Sequence, residues 1–324
     1  MNTFRWGIIG SGHIAKKMSR NLFSDKSNVL CGVYSRNKNS AMKMAEIYGG
    51  IVANTIEEFL SLDLDGIYIA TPQSSHYNYI RLCLLARKPV ICEKPMVINC
   101  DQMNEIIRIA KEKNTYLNGI MSYKYSPIYN DWKSIIKDSD LGNITSVKVE
   151  IGFDAINLQK RQRTIAAEYA GGALLETGVY AVSFLNNLFG DFDSIEADSI
   201  LSKEGIDLHD KIIFIKDKIK FEIECSLMKL MSSEAKIYFE NGLLVMPFFN
   251  RGCSYTLYKN SNIIKNKTVP IDCMYQFNEN KIEIIEGKIE SIKNSFFEML
   301  KEQQLLDRIR ELIGVQYSQN IEKI

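Results

Sequence analysis

A chain of 324 residues is too long for one small core and suits two domains. Hydrophobic residues at 46% and charged residues at 24% are ordinary for a globular protein, and Lys+Arg 40 against Asp+Glu 39 leave a net charge of +1, which speaks against a nucleic-acid surface or a polybasic membrane patch. No apolar run reaches the length of a membrane span, and no basic-then-apolar leader precedes the first strand, so no membrane partner and a cytoplasmic location are expected.

Arg5–Ile9 reads as a short buried strand, followed by a glycine turn and a helix over Ile14–Phe23. The turn has the spacing Gly10-x-Gly12-x-x-Ala15. Gly10 permits a tight turn, Gly12 carries no Cβ to block a pyrophosphate, and Ala15 lets helix and strand pack closely. The helix start presents free N–H groups and the positive end of its dipole, so Gly10-Ser11-Gly12-His13-Ile14 is a candidate dinucleotide turn. A second strand, Val29–Tyr34, ends in Ser35-Arg36. Helical spacing over Ser40–Tyr48, a strand at Ile51–Ala53 and a helix from Thr55 to about Leu60 follow. Asp65–Ala70 is a buried strand ending in Thr71-Pro72, Ser75–Ala86 a helix, and Pro89–Cys92 a strand ending in Glu93-Lys94-Pro95. Asp101 is expected to cap a helix running to about Asn114, and Tyr116–Met121 closes the sheet. Strands separated by helices imply right-handed crossovers and a parallel sheet, here a Rossmann dinucleotide-binding domain over residues 1–122. Ligands on such sheets bind beyond the carboxyl ends of the strands, where Ser35-Arg36, Ala70-Thr71-Pro72 and Glu93-Lys94-Pro95 all fall.

From about Ile128 the texture changes. A helix at Asp131–Lys137 precedes strands of alternating character at Ile144–Phe153, Ser194–Leu201, Lys211–Ile215, Ile219–Ser226, Ala235–Phe239, Leu243–Phe248 and Ser254–Tyr258. Glu240-Asn241-Gly242 is a hairpin signal. A helix over Ala173–Phe189 interrupts the strands, and helical spacing returns over Ile282–Ile313 with a break expected near Glu302–Leu305. The fold class is therefore α/β, with residues 123–324 forming an α+β substrate and dimerisation domain on an open-faced, mostly antiparallel sheet. Too few helices follow to cover both faces of that sheet, and an uncovered apolar face predicts a homodimer or a dimer of dimers. The seven cysteines are odd in number and form no C-x-x-C pair, as expected of reduced thiols, and three histidines far apart in sequence argue against a metal site.

Several residues have the chemistry of a nucleotide-dependent redox site. An NAD-specific chain usually places Asp or Glu at the end of the second strand for the ribose 2′-OH. Ser35-Arg36 stands there instead, and a guanidinium suits a 2′-phosphate, so NADP is favoured and NAD stays possible. Pro72 holds Thr71 extended against a flat ring, and His76 opens the next helix, as a cofactor contact or as a helix-start hydrogen bonder. The Lys94 ammonium, held by Glu93, suits donation to an oxygen on which charge develops during hydride transfer. Glu176 and Tyr180 are four residues apart and share a helix face. A phenol with a pKa near 10 becomes a useful base when a neighbouring ammonium such as Lys94 lowers it. Gly172 and Gly178 would allow close approach to a cofactor.

Taken together these residues resemble the Gfo/Idh/MocA oxidoreductases. The likeness rests on Gly10-x-Gly12-x-Ile14-Ala15, Ser35-Arg36, Ala70-Thr71-Pro72 with His76, Glu93-Lys94-Pro95, Tyr123-Lys124-Tyr125-Ser126-Pro127 and the stretch from Gly171-Gly172 through Glu176 to Tyr180. It implies a tightly held NAD(P), substrates that are sugars, inositols or cyclic diols, dimers through the open sheet, and a cis Lys94–Pro95 bond. Many members carry Asp where this chain has Glu176, His where it has Tyr180 and Arg where it has Lys124. Tyr at that second position resembles the dihydrodiol dehydrogenase and glucose–fructose oxidoreductase branches, where tyrosine is the proposed acid/base. The expected function is an NADP-preferring oxidoreductase of a sugar or cyclic polyol, with Lys94, Tyr180 and Glu176 catalytic. A non-catalytic NAD(P)-binding sensor and an NAD-assisted glycoside hydrolase or lyase stay open as alternatives at this point.

Overall fold

The computed structural model describes residues 3–157 and 163–324, which form two compact units. The first contains the chain up to Ile120 together with Met274–Met299. Its parallel sheet joins β1 (Phe4–Ile9), β2 (Asn28–Tyr34), β3 (Ile51–Val52), β4 (Gly66–Ile69), β5 (Val90–Cys92) and β6 (Leu117–Gly119) in the order β3-β2-β1-β4-β5-β6. All residues of β4, β5 and β6 are buried, as strands covered on both faces must be. The order reverses direction at β1, which makes the crevice beyond the ends of β1 and β4 the topological switch point.

The connecting helices are α1 (His13–Leu22), α2 (Lys38–Tyr48), α3 (Ile56–Ser61), α4 (His76–Leu85) and α5 (Cys100–Lys113). Their starts follow side-chain chemistry. Asn37 caps α2 and Thr55 caps α3, each accepting from the N–H three residues on. The cap of α5 is Asn99, which accepts from Gln102 N at 3.0 Å, and not Asp101 as expected. Asp101 sits in the first turn, where its charge still favours the helix N-terminus.

Residues 274–299, assigned from sequence to the second domain, belong to the first unit. Helix α8 (Met274–Ile285) brings Phe277 edge-on to Trp6 and Tyr68, with ring centroids 5.8 and 5.2 Å apart. Polar bonds fasten it to β6: Gln276 donates to Gly119 O at 2.8 Å, and Tyr116 donates to Glu283 at 2.6 Å. The expected break at Glu302–Leu305 does not occur. The chain instead leaves the helix at 286–295 and re-enters it as α9 (Phe296–Ile313). The restart is a capping box: Glu298 N donates to Ser295 Oγ at 3.3 Å, and Ser295 N donates to Glu298 Oε2 at 3.0 Å.

The second unit holds Met121–Cys273 and Leu300–Glu322. Its eight strands are β7 (Ile144–Gly152), β8 (Ser194–Leu201), β9 (Asp207–Lys216), β10 (Ile219–Ser226), β11 (Glu234–Phe239), β12 (Gly242–Pro247), β13 (Ser254–Lys259) and β14 (Asn262–Thr268), ordered β14-β13-β12-β11-β7-β10-β9-β8. Every pair is antiparallel except β7 with β10. Val147, Val149, Phe221, Ile223, Ala235 and Ile237 alternate into the core, against which α7 (Val179–Phe189) packs. Helix α6 (Tyr129–Ile136) opens this unit.

The opposite face departs from expectation. Its centre carries Lys148, Glu150, Glu222, Glu224, Glu234 and Lys236 in register across β7, β10 and β11, and Lys148 pairs with Glu222 at 3.3 Å. Apolar residues flank that charged centre, Val245 beside Lys236 and Ile213 beside Glu222. Strand β14 was not expected. It is an exposed edge joined to β13 through Asn260 and Ser261, both at positive φ, as a two-residue hairpin of the primed type requires.

Candidate active site

The dinucleotide turn follows directly from the ends of β1 and β4. Gly10 has φ +107, and a Cβ there would lie 2.5 Å from Ala70 O, so only glycine lets the two strand ends close up. Gly12 differs: a Cβ there would meet nothing within 4 Å. Helix α1 has no side-chain cap and no acidic residue in its first turn. Its free N–H groups therefore face open space in front of Gly12, which fits a pyrophosphate. Gly12, His13 and Ile14 are exposed there, whereas Ala15 is buried against the sheet.

Serines tie this turn to the loop after β2. Ser11 Oγ and Ser35 Oγ are 2.8 Å apart, and Ser40 Oγ donates to Ser11 O at 2.9 Å. Arg36 is exposed beside them, and no carboxylate follows β2 before α2 begins. Burial pushes the Tyr79 phenol up, next to Tyr34, and the Arg36 cation opposes that rise, so the guanidinium lies within electrostatic reach of the ring.

The loops after β4 and β5 are joined by His76. Its ring is 1% exposed, with Nδ1 2.8 Å from Pro95 O and Nε2 2.9 Å from Thr71 O. His76 thus serves the crevice through the two loops it connects. Pro72 is extended, and Ser75 Oγ donates to Thr71 Oγ1 at 2.9 Å. The Tyr68 hydroxyl donates to Glu93 Oε1 at 2.6 Å, which fixes the carboxylate preceding Lys94. The Lys94–Pro95 bond is cis, as the family resemblance implied, and Lys94 is partly exposed.

In the second unit, Glu176 lies on a π-helical turn, Leu174–Gly178, that runs straight into α7, whose first turn carries Tyr180. Such turns are frequent at functional sites. From Gly171 to Asn186 every residue is buried except these two. The segment therefore presents one carboxyl and one phenol, and otherwise only covered surface. The neighbouring glycines do a different job from the one expected. A Cβ on Gly178 would lie 2.9 Å from Cys225 Sγ, and one on Gly172 would collide with the Asp207 carboxylate. They let the helix approach β9 and β10 and leave no cofactor-facing gap. Lys124, on a neighbouring 3₁₀ turn, is 1% exposed. No group of three or more metal-ligating side chains gathers among the described residues, and among them no helix is long and apolar enough to cross a membrane.

Sequence reasoning passed over Asp207 and Asp210, two buried carboxyl groups behind this segment. Their only signal was a pair of acids at the start of a core strand. Ser40 was also missed, because its bond runs to a residue 29 positions away.

The comparisons with known proteins agree with this geometry. The model of an oxidoreductase family with an NAD-binding Rossmann fold matches residues 4–119, and that of the GFO/IDH/MocA C-terminal domain matches residues 129–245. The chain is 24% identical over 250 residues, 75% of each protein, to trans-1,2-dihydrobenzene-1,2-diol dehydrogenase of Xenopus tropicalis. It is 24% identical over 321 residues, 97% of this chain and 98% of the other, to the scyllo-inositol 2-dehydrogenase (NADP(+)) IolU of Bacillus subtilis (strain 168). KijD10, a 3-ketoreductase from Actinomadura kijaniata solved with NADP and TDP-benzene, shares the fold with a TM-score of 0.88 over 98% of this chain and 100% of that one, at 18% identity. Two family models matched in order, over a sheet whose strand ends carry the dinucleotide turn, show that the chain belongs to the Gfo/Idh/MocA family of NAD(P)-dependent oxidoreductases acting on CH–OH groups.

Proposed function

We propose that this protein is an NADP-preferring dehydrogenase or reductase of a sugar or cyclic polyol, with Tyr180 as acid/base. One observation carries the proposal: along sixteen residues of buried chain, Gly171 to Asn186, only Glu176 and Tyr180 reach the surface. A phenol that exchanges a proton and a carboxylate that accepts from hydroxyl groups match a polyhydroxyl substrate. Bound nicotinamide supplies the hydride acceptor or donor. The residues of the chain do the rest. Gly12 and the start of α1 hold the diphosphate, and Arg36 with Ser35 takes the 2′-phosphate. Lys94 donates to the reacting oxygen, Tyr180 takes its proton during oxidation and returns it during reduction, and Glu176 orients the hydroxyl groups. The NADP-dependent inositol dehydrogenase relative and the NADP-bound ketoreductase of the same fold support this cofactor and substrate class.

The same reading extends to assembly and location. The open face of the second sheet, with apolar flanks around a charged centre, suits a homodimer or a dimer of dimers whose charges pair across the interface. Sedimentation velocity at low and at high salt tests this, and a monomer at every salt and at micromolar concentration contradicts it. All seven cysteines are free, which supports a cytoplasmic protein. The substrate class is tested by following NADP reduction over a panel of inositols, free sugars, nucleotide sugars and cyclic diols. Turnover of at least one polyhydroxyl compound is expected. Binding of NADP without turnover of any compound, or product release without net change in NADPH, contradicts the proposal.

A further inference from the structure

Behind the surface that carries Glu176 and Tyr180 lie two carboxyl groups that the proposed reaction does not use. Asp207 and Asp210, both on β9, are 1% and 0% exposed. Three residues apart on a regular strand they would point to opposite faces. The β8–β9 ladder slips here: Ile200 pairs with His209, but Leu201 pairs with Asp207. Leu208 is the extra residue of a bulge, and the bulge brings the two carboxyls together.

Asp207 reaches the start of the π turn. Its Oδ2 accepts from Leu174 N at 2.6 Å. Gly172, just before the helix, has φ +147 and no side chain with which to cap it. Any Cβ there would occupy the place of Asp207 Oδ1. The glycine leaves the space, and a carboxylate from another strand fills it as the cap. A charged acceptor at a helix N-terminus satisfies an orphan N–H and complements the dipole. The same corner is pinned a second time, since the Tyr317 hydroxyl donates to Gly171 O at 2.8 Å, with the Arg310 guanidinium 4.8 Å above the Tyr317 ring.

We propose that Asp207 is a positioning residue of this active site: by capping the π turn from β9 it sets the direction in which Glu176 and Tyr180 point. This rests on the reading of Tyr180 and Glu176 given above. Burial raises the Asp207 carboxyl, and the Leu174 N–H that donates to it opposes that rise. Asp207 Oδ1 has no donor among the described residues unless Asp210 carries a proton. Asp210 meets Ser199 of β8 at 2.6 Å and Cys225 of β10 at 3.3 Å. Arg310 of α9, itself paired with Glu322, favours the ionised form of Asp207. Burial and the charge of Asp207 push Asp210 up to about 8, and burial raises the Cys225 thiol and the Tyr317 phenol, which stay neutral. Two buried carboxyls this close share one proton, and the Leu174 N–H that donates to Asp207 favours its staying on Asp210. Above about pH 8 both carboxyls ionise, and their repulsion works against the cap.

The test compares Asp207→Ala, Asp207→Asn and Asp210→Asn with the wild type, measuring kcat, KM, NADPH affinity, Tm and the pH profile of kcat. Asp207→Ala is expected to lower kcat about 10–100-fold, the cost of misplacing catalytic groups, while NADPH affinity stays within about twofold. Asp207→Asn, which still offers an oxygen to Leu174 N–H and an amide to Asp210, is expected to restore most of that loss. Wild-type kcat should fall as pH passes about 8, and Asp210→Asn, whose amide donates at every pH, should lack that fall. A folded Asp207→Ala enzyme with undiminished kcat well below its Tm overturns the proposal. If Asp207→Ala does not fold, a pH profile unchanged in Asp210→Asn overturns it. Tyr180→Phe is assayed alongside. An active Tyr180→Phe enzyme removes the reading of the site itself, whereas an inactive one beside an undamaged Asp207→Ala removes only the positioning role.

Discussion

The imidazole of His76 lies 2.8 Å from the carbonyl oxygen of Pro95, nineteen residues along the chain. The same ring meets Thr71 O on its other side, so one side chain sets the spacing between the loops after β4 and β5. A carbonyl only accepts and a neutral imidazole carries one N–H, so the ring donates to one of the two loops at a time and packs against the other. Replacing His76 with leucine leaves the carbonyl that the ring bonds without its donor, at a cost of about 1–3 kcal/mol. The expected outcome is a lower Tm together with weaker NADPH binding, measured by thermal unfolding and fluorescence titration. An unchanged Tm would show that the ring does not hold the loops.

The two glycines of the dinucleotide turn should behave in opposite ways. Gly10→Ala puts a methyl 2.5 Å from Ala70 O at a φ of +107 and should lower stability by about 1–3 kcal/mol. Gly12→Ala meets no protein atom within 4 Å and should leave Tm within about a degree while weakening NADPH at least tenfold. Equal Tm losses in the two variants would refute the division between packing and ligand space.

Arg36→Asp tests the cofactor preference. A charge-assisted contact to phosphate contributes about 1.5–3 kcal/mol, so NADP affinity should fall by about 10–150-fold and NAD affinity should change little. Equal losses for both cofactors would remove the 2′-phosphate from Arg36.

The raised Asp210 carboxyl links stability to pH. Its folded pKa of about 8 exceeds the unfolded carboxylate value of 3.8, so the native state holds a proton that the unfolded chain releases between those limits. Stability from this group is full below about pH 4 and declines as pH rises toward 8, by at most about 1.4 kcal/mol per pH unit. Urea titrations from pH 5 to pH 9 should show a declining stability in the wild type and a shallower decline in Asp210→Asn. Parallel declines in the two proteins would mean that Asp210 is not the linked group.

The first sheet was legible because its strands are continuous apolar runs separated by helices, and each loop that carries chemistry falls at a strand end for the same reason. The turn at Gly10 and the ends at Ser35, Thr71 and Glu93 therefore lie where expected. The capping box at Ser295 and Glu298 was legible as well, a serine followed three residues later by glutamate, but continuous helical spacing across it masked the break at 286–295. The charged centre of the open sheet face could have been found by counting alternate residues: Lys148, Glu150, Glu222 and Glu224 stand opposite the apolar positions of β7 and β10. Strand β14 offers no such alternation, since nearly all of it is exposed and its partner is supplied by the hairpin. Asp207 lay beyond sequence reasoning altogether. Its meaning depends on a bulge at Leu208 and on a glycine in a distant segment, both of which are tertiary facts.

Tyr180→Phe is the most direct measurement on the proposed chemistry. The change removes one hydroxyl from a partly exposed ring on α7 and leaves the shape of the surface intact. Turnover of the polyhydroxyl substrate should fall by about 10²–10⁴, the usual contribution of general acid–base catalysis, with NADPH affinity and Tm nearly unchanged. A Tyr180→Phe enzyme that keeps wild-type kcat on its own substrate would contradict the account.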